Sequence, residues 1–157
     1  MILDVCCSTR KWKPHQTVEV VFGFDCLRTV SPDAVASFLH LPVKADSVDE
    51  VWADPPHLIR NDVKHWNPSY RRFGNWKNRR EFTDGLRTLC CEVHRVLKPG
   101  GTFSLKLIYG KDYRVPHYAD FKIVEGFFGS PSNWVEEPSK FGWSTNTTVY
   151  ARYMKAS

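Results

Sequence analysis

Val51-Trp52-Ala53-Asp54-Pro55-Pro56-His57 joins a short apolar run to an acid, two rigid residues and a planar ring. The apolar residues read as the end of a buried strand, and the tetrad as what stands just beyond it. Proline fixes the backbone and carries no N–H, so two donors are removed here. The Pro55 carbonyl is therefore expected as a free acceptor beside the Asp54 carboxylate. An acid and a carbonyl placed this way suit holding a flat amine by its N–H bonds.

Other segments set this strand in context. Residues 2–6 form a first apolar run, residues 18–25 a second rich in β-branched and aromatic side chains, and residues 35–39 a weaker third. Residues 49–54 are the fourth. Only about a dozen residues separate the first two runs, which is short for a crossover helix. Residues 83–97 are the strongest helix, because Leu86, Leu89, Cys90, Val93, Val96 and Leu97 fall on one stripe. Thr83 is its expected N-cap, and Lys98-Pro99-Gly100-Gly101 is expected to stop it. Phe103, Leu105 and Leu107 then alternate along a strand at 102–108. Residues 121–128 and 147–154 read as two later strands separated by a loop bearing Pro, Ser and Gly. One strong helix leading into a strand, with strands before it, predicts an α/β fold with a mostly parallel sheet. Ligands in such sheets sit beyond the carboxyl ends of the strands. Residues 4–8, Asp25, Asp54 and Lys106 lie at or near such ends.

The chain has 157 residues, the size of one domain with a real core, and a formal net charge of +5. The charge leans toward an anionic partner. No apolar run approaches the roughly 18 residues of a membrane span. Met1-Ile2-Leu3-Asp4 runs straight into a core strand without a signal peptide, so a cytoplasmic protein is expected. The five cysteines, Cys6, Cys7, Cys26, Cys90 and Cys91, show no C-x-x-C or Cys/His ligand spacing. Buried reduced thiols are expected, with no metal site and no disulfide framework.

These pieces together resemble the class I S-adenosylmethionine-dependent methyltransferases, and most closely the small amino-methyltransferases with a D-P-P-H (DPPY-like) signature. The matching segments are Ile2-Leu3-Asp4-Val5-Cys6-Cys7, Phe22-Gly23-Phe24-Asp25, Leu41-Pro42-Val43 leading to the tetrad, Val96-Leu97-Lys98-Pro99-Gly100-Gly101, and the strand carrying Lys106. The resemblance implies a Rossmann-like methyltransferase fold, with an antiparallel last strand and minimal helices. It makes residues 1–157 a single domain with 60–80 as a lid or insertion. It implies S-adenosylmethionine as cofactor. Asp4, Cys6, Cys7 and Ser8 would lie along its methionine part and Asp25 would accept from its ribose hydroxyls. Ser37 stands where relatives carry an acid facing the adenine amine. The glycines of the family's D-x-G-x-G loop are absent; Cys6, Ser8 and Arg10 stand in their places.

The resemblance also implies the chemistry. An exocyclic amine of adenine or cytosine is a poor nucleophile because its lone pair is shared with the ring. Asp54 and the Pro55 carbonyl would hold its two N–H bonds and aim the lone pair at the cofactor methyl, while His57 stacks on the base. Asp54 and water are both open as acceptors of the released proton. Residues 60–80 carry seven Lys/Arg against one acid, interleaved with Trp66, Tyr70, Phe73 and Trp76. Cations for phosphates and rings for bases are the two ingredients of single-strand binding. Lys106, Arg71, Arg72 and Trp76 are accordingly expected to bind substrate. Nucleic acid, DNA or RNA, is the expected partner, a protein supplying target recognition a further one, and no membrane. Two alternatives stand beside this reading. One is a methyltransferase for a protein side-chain amide or a small amine. The other is a non-catalytic nucleic-acid-binding module on a methyltransferase-like fold, suggested by the missing glycines.

Overall fold

The computed structural model describes residues 1–7, 21–26, 28–60, 74–111, 115–138 and 146–157. Its strands are β1 (Ile2–Asp4), β2 (Val21–Asp25), β3 (Ala34–Val35), β4 (Val48–Ala53), β5 (Leu97–Tyr109), β6 (Asn133–Pro138) and β7 (Thr147–Met154). Helix α1 (Arg79–Val96) leads into β5, and α2 (Phe121–Phe128) lies between β5 and β6. The strands form one seven-stranded sheet in the order β3-β2-β1-β4-β5-β7-β6. Neighbours from β3 to β5 are parallel, and β7 runs antiparallel to both β5 and β6. This is the mostly parallel α/β sheet with an antiparallel last strand that the sequence predicts. Neither helix is long and apolar enough to cross a membrane.

The core follows from periodicity. Phe103, Leu105 and Leu107 on β5 and Leu86, Leu89, Cys90, Val93 and Val96 on α1 are all buried in one cluster. Each large apolar side chain removed from water in this way contributes about 1.5–3 kcal/mol. Val51, Trp52 and Ala53 are all buried, as expected for a strand covered on both faces.

The helix begins earlier than its apolar stripe suggested. Asn78, not Thr83, is the N-cap: its side-chain oxygen accepts the Glu81 N–H at 2.9 Å. Thr83 lies inside the first turns and donates its hydroxyl to the Arg80 carbonyl at 2.9 Å. At the other end, Leu97 already pairs with Val48, and regular pairing resumes only at Thr102 opposite Glu50. Lys98 to Gly101 therefore loop out against the single residue Asp49. Gly100, at φ 77°, supplies the left-handed turn.

Two later segments differ from the sequence reading. Residues 121–128 form a helix rather than a strand, because Phe121, Val124 and Phe128 are spaced to bury one helical face. Residues 133–138, read as loop, form the edge strand β6. The third strand is shorter than expected and ends at Val35; residues 37–40 make a tight turn closed by His40 N–H to Ser37 O at 3.0 Å.

Leu41-Pro42-Val43 is held by two residues of α1. Glu92 accepts the Leu41 N–H at 2.8 Å, and Arg95 donates to the carbonyls of Val43 (2.7 Å) and Leu41 (2.9 Å) while pairing with Glu92. The Arg95 hydrogen bonds hold the Glu92 carboxyl down at about 2. Since the unfolded value is about 4.3, this clamp stabilises the fold fully above that value and is lost as pH falls toward 2. A Glu92→Gln variant is expected to show a melting temperature that falls less steeply with acidification in that window. Superimposable slopes for variant and wild type would contradict the clamp.

Candidate active site

Three acids mark the carboxyl edge of the parallel strands. β1 ends at Asp4, β2 at Asp25, and Asp54 directly follows β4. β2 and β3 lie to one side of β1 while β4 and β5 lie to the other, so the order reverses between β1 and β4. That seam is where doubly wound sheets open a crevice. The chain stays bonded to both neighbours after β1: Val5 donates to Trp52 O at 2.9 Å and Cys7 to Phe24 O at 3.1 Å. Cys6 is thereby held above the seam. Its N–H donates to the buried Asp4 carboxylate at 3.2 Å.

The Cys6 sulfur reports how these acids converge. Burial, then the Asp4, Asp54 and Asp25 carboxylates, push its thiol well above the ordinary value. The thiol stays protonated at neutral pH, which makes it an unreactive neighbour rather than a nucleophile. Three carboxylates thus bear on one neutral thiol at the carboxyl edge of the sheet.

Lys106 reaches the tetrad by strand register. Ala53 pairs with Leu105, and Leu105 is buried beneath the helices, so Lys106 emerges on the opposite face beside Asp54. Its ammonium donates to Asp54 Oδ2 at 2.5 Å. His57 Nε2 lies 2.8 Å from the other oxygen, Oδ1. That close ring contact covers Oδ1, which is shut off from solvent and holds no well-aligned hydrogen bond in this arrangement. His57 Nδ1 is buried without a hydrogen-bond partner as well. Burial alone would raise the Asp54 carboxyl, but His57 and then Lys106 outweigh it and hold it below its usual range. A carboxylate held ionised in this way is a hydrogen-bond acceptor and a poor sink for a proton.

Trp76 has a different place from the base-stacking one expected of it. It is buried, and its Nε1 donates to the Pro56 carbonyl at 2.8 Å. Its ring meets Phe38 and Phe82 edge-on and covers Gly85, where an added Cβ would lie 2.3 Å from the indole. Trp76 N–H donates to Leu58 O at 2.8 Å, and Arg60 N–H to Trp76 O at 2.7 Å. It is thus a wedge beneath the tetrad, and it occupies the carbonyl of Pro56 rather than that of Pro55. Ser37 lies just past the carboxyl end of β3, exposed, with its hydroxyl accepting the Leu39 N–H at 3.2 Å. Ser8, Arg71 and Arg72 lie outside the described residues, as does most of the basic-aromatic segment. Tyr150, which the sequence reading passed over, is the cross-strand partner of Lys106 and faces the same cluster. The alternation of residues 147–154 carried that signal, but only the antiparallel register reveals it.

No protein-family model matches the chain, and no curated protein matches it. Solved structures do. A geranyl diphosphate methyltransferase in complex with SAM is similar at a TM-score of 0.66 and 10% identity, over 99% of this chain and 77% of that one. A 1,6-didemethyltoxoflavin-N1-methyltransferase from Burkholderia thailandensis, bound to 1,6-didemethyltoxoflavin and S-adenosylhomocysteine, gives 0.62 and 11% over 99% and 71%. The [4+2]-cyclase SpnF gives 0.63 and 11% over 99% and 75%. At these identities the likeness concerns architecture, and the cyclase illustrates that one architecture hosts several reactions. Strand order and neighbours together establish that this chain has the Rossmann-like fold of the class I S-adenosylmethionine-dependent methyltransferases.

Proposed function

We propose that this protein is an S-adenosylmethionine-dependent N-methyltransferase acting on the exocyclic amine of adenine or cytosine in nucleic acid. The observation that carries this reading is Asp54 Oδ1, an ionised carboxylate oxygen met by the His57 ring at 2.8 Å, at the point where the strand order reverses between β1 and β4. Such an oxygen suits a neutral N–H donor from substrate.

The residues present fit the cofactor. S-adenosylmethionine supplies a methyl group on a sulfonium cation and also carries an ammonium and a ribose diol. The convergent Asp4, Asp25 and Asp54 carboxylates offer what these groups need, and Cys6 is small enough to let them approach. Asp4 and Cys6 would lie along the methionine part and Asp25 at the ribose. Asp54 Oδ1 and the Pro55 carbonyl would orient the amine, with the His57 ring against the base. The net charge of +5 and the basic-aromatic residues 60–80 support a nucleic-acid substrate, and with it a site exposed to polyanions.

Two measurements test this. Calorimetry is expected to show S-adenosylhomocysteine binding below millimolar concentration; no heat at millimolar ligand would sink any cofactor-dependent reading. Tritiated methyl groups are then expected to pass to single-stranded oligonucleotides, and label found only in protein would refute the nucleic-acid substrate.

A further inference from the structure

We propose that Lys106 sets the site of methylation by capping the ring nitrogen next to the target amine. This rests on the base-amine reading above and names what that reading leaves open: why the methyl goes to the weaker of two neighbouring nucleophiles.

The argument starts from valence. An ammonium has three N–H donors. One of those on Lys106 is used by Asp54 Oδ2 at 2.5 Å, and among the described residues it makes no other hydrogen bond. The neighbouring Asp54 Oδ1 meets the His57 ring at 2.8 Å without hydrogen-bond alignment, so a base N–H can take it once that ring turns aside. The pair therefore presents a donor and an acceptor side by side. Both side chains are partly open, with exposures of 22% for Lys106 and 25% for Asp54, so a ligand can reach the pair, while Oδ1 itself is covered, with the His57 ring 2.8 Å away. An alkyl amine or a carbon nucleophile offers only one half of the complement. The amine of adenine or cytosine offers both, since an N–H lies next to an in-plane ring nitrogen that accepts.

That ring nitrogen is chemically the stronger competitor. Its lone pair lies in the ring plane, outside the π system, whereas the amine's is delocalised. A site that merely brought the base edge to a methyl donor would methylate the ring. With Lys106 donating to the ring nitrogen, that lone pair is occupied, and Asp54 draws the amine N–H aside. The amine lone pair forms the N–CH3 bond as the S–CH3 bond breaks with its electrons left on sulfur. The amine then loses one proton to water. Lys106 keeps its charge throughout, and its pairing with Asp54 limits repulsion of the cationic donor.

The test uses the full-length protein and single-stranded oligonucleotides in which adenine or cytosine is the sole target. Products are digested at neutral pH, and the isomeric nucleosides are separated by chromatography and identified by mass. Wild type is expected to give the amine-methylated nucleoside. Lys106→Met is expected to raise the ring-methylated share about 10- to 100-fold, the span corresponding to one charge-assisted hydrogen bond. Lys106→Arg, which keeps a donor, is expected to restore most of the selectivity. A second arm needs no variant: wild type is expected to act about 10-fold or more slowly on 1-deazaadenine or 3-deazacytosine, where the ring acceptor is a C–H. An unchanged isomer ratio in Lys106→Met, or equal wild-type rates on parent and deaza bases, overturns the Lys106 assignment while leaving the base-amine reading intact. No transfer to any base overturns both.

Discussion

Methyl transfer by an Asp54→Ala variant is expected to fall about 10²- to 10³-fold, the cost of removing one preorganised electrostatic partner from a reacting centre. The loss should appear in kcat, because Asp54 acts on the geometry of the amine rather than on capture of the polyanion. Cofactor affinity is expected to change far less, since Asp4 and Asp25 remain. The pH behaviour follows from the charges around the carboxylate. His57 and Lys106 beside it hold it below the usual carboxylate range despite its burial. The ionised form therefore persists at every pH above that range, and acid inactivation through Asp54 is expected only below it. The same shift stabilises the fold above the unfolded carboxyl value and is lost as pH falls through the folded one. A thermal melt of the variant at neutral pH separates loss of chemistry from loss of fold. Full activity in a folded Asp54→Ala protein would remove the acceptor clamp from the mechanism.

The second large effect concerns Trp76. Removing its side chain leaves a void among Phe38, Phe82 and Gly85 and frees the Pro56 carbonyl. Trp76→Ala is expected to cost about 3–5 kcal/mol of unfolding free energy, the usual range for a large aromatic cut back in a core. Trp76→Phe should retain most of the ring packing and lose only the indole donor, a change of about 0.5–1.5 kcal/mol. Its activity should suffer more than its stability, because the donor is what fastens the second proline of the tetrad to the ring packed on α1. Denaturant melts beside kinetics make the comparison. If Trp76→Ala unfolds with wild-type stability, the residue is not a wedge.

Local patterns made much of this fold readable. The alternation Phe103, Leu105, Leu107 and the stripe from Leu86 to Val96 each fixed an element and its buried face. The acids after β1, β2 and β4 were visible as strand-ending residues. What escaped depended on competition between signals. Residues 121–128 are rich in aromatic and β-branched side chains, yet their 121, 124, 128 spacing was helical, and tertiary burial followed the spacing. The start of α1 was missed because Phe82 continues the stripe into a basic stretch that looked like loop. Composition alone places Trp76 with Trp66, Tyr70 and Phe73, and composition does not tell a core ring from a binding ring. The Lys106–Asp54 pair required the register Ala53 opposite Leu105, which pattern along one strand does not contain.

The short parallel bridge between Ile59 and Trp76 carries a consequence for how this protein changes. Ile59 and Trp76 are thereby fastened side by side close to the tetrad, at the two ends of the intervening stretch of sequence. Closing a connection across a fixed neck becomes costlier only slowly with length, by about 0.6 kcal/mol for each doubling. On the proposed function, exchanging the segment between those two residues is expected to change target preference while Asp54, His57 and Lys106 keep their places. The neck is a natural splice point, both for an evolving lineage and for an engineer grafting a new recognition segment.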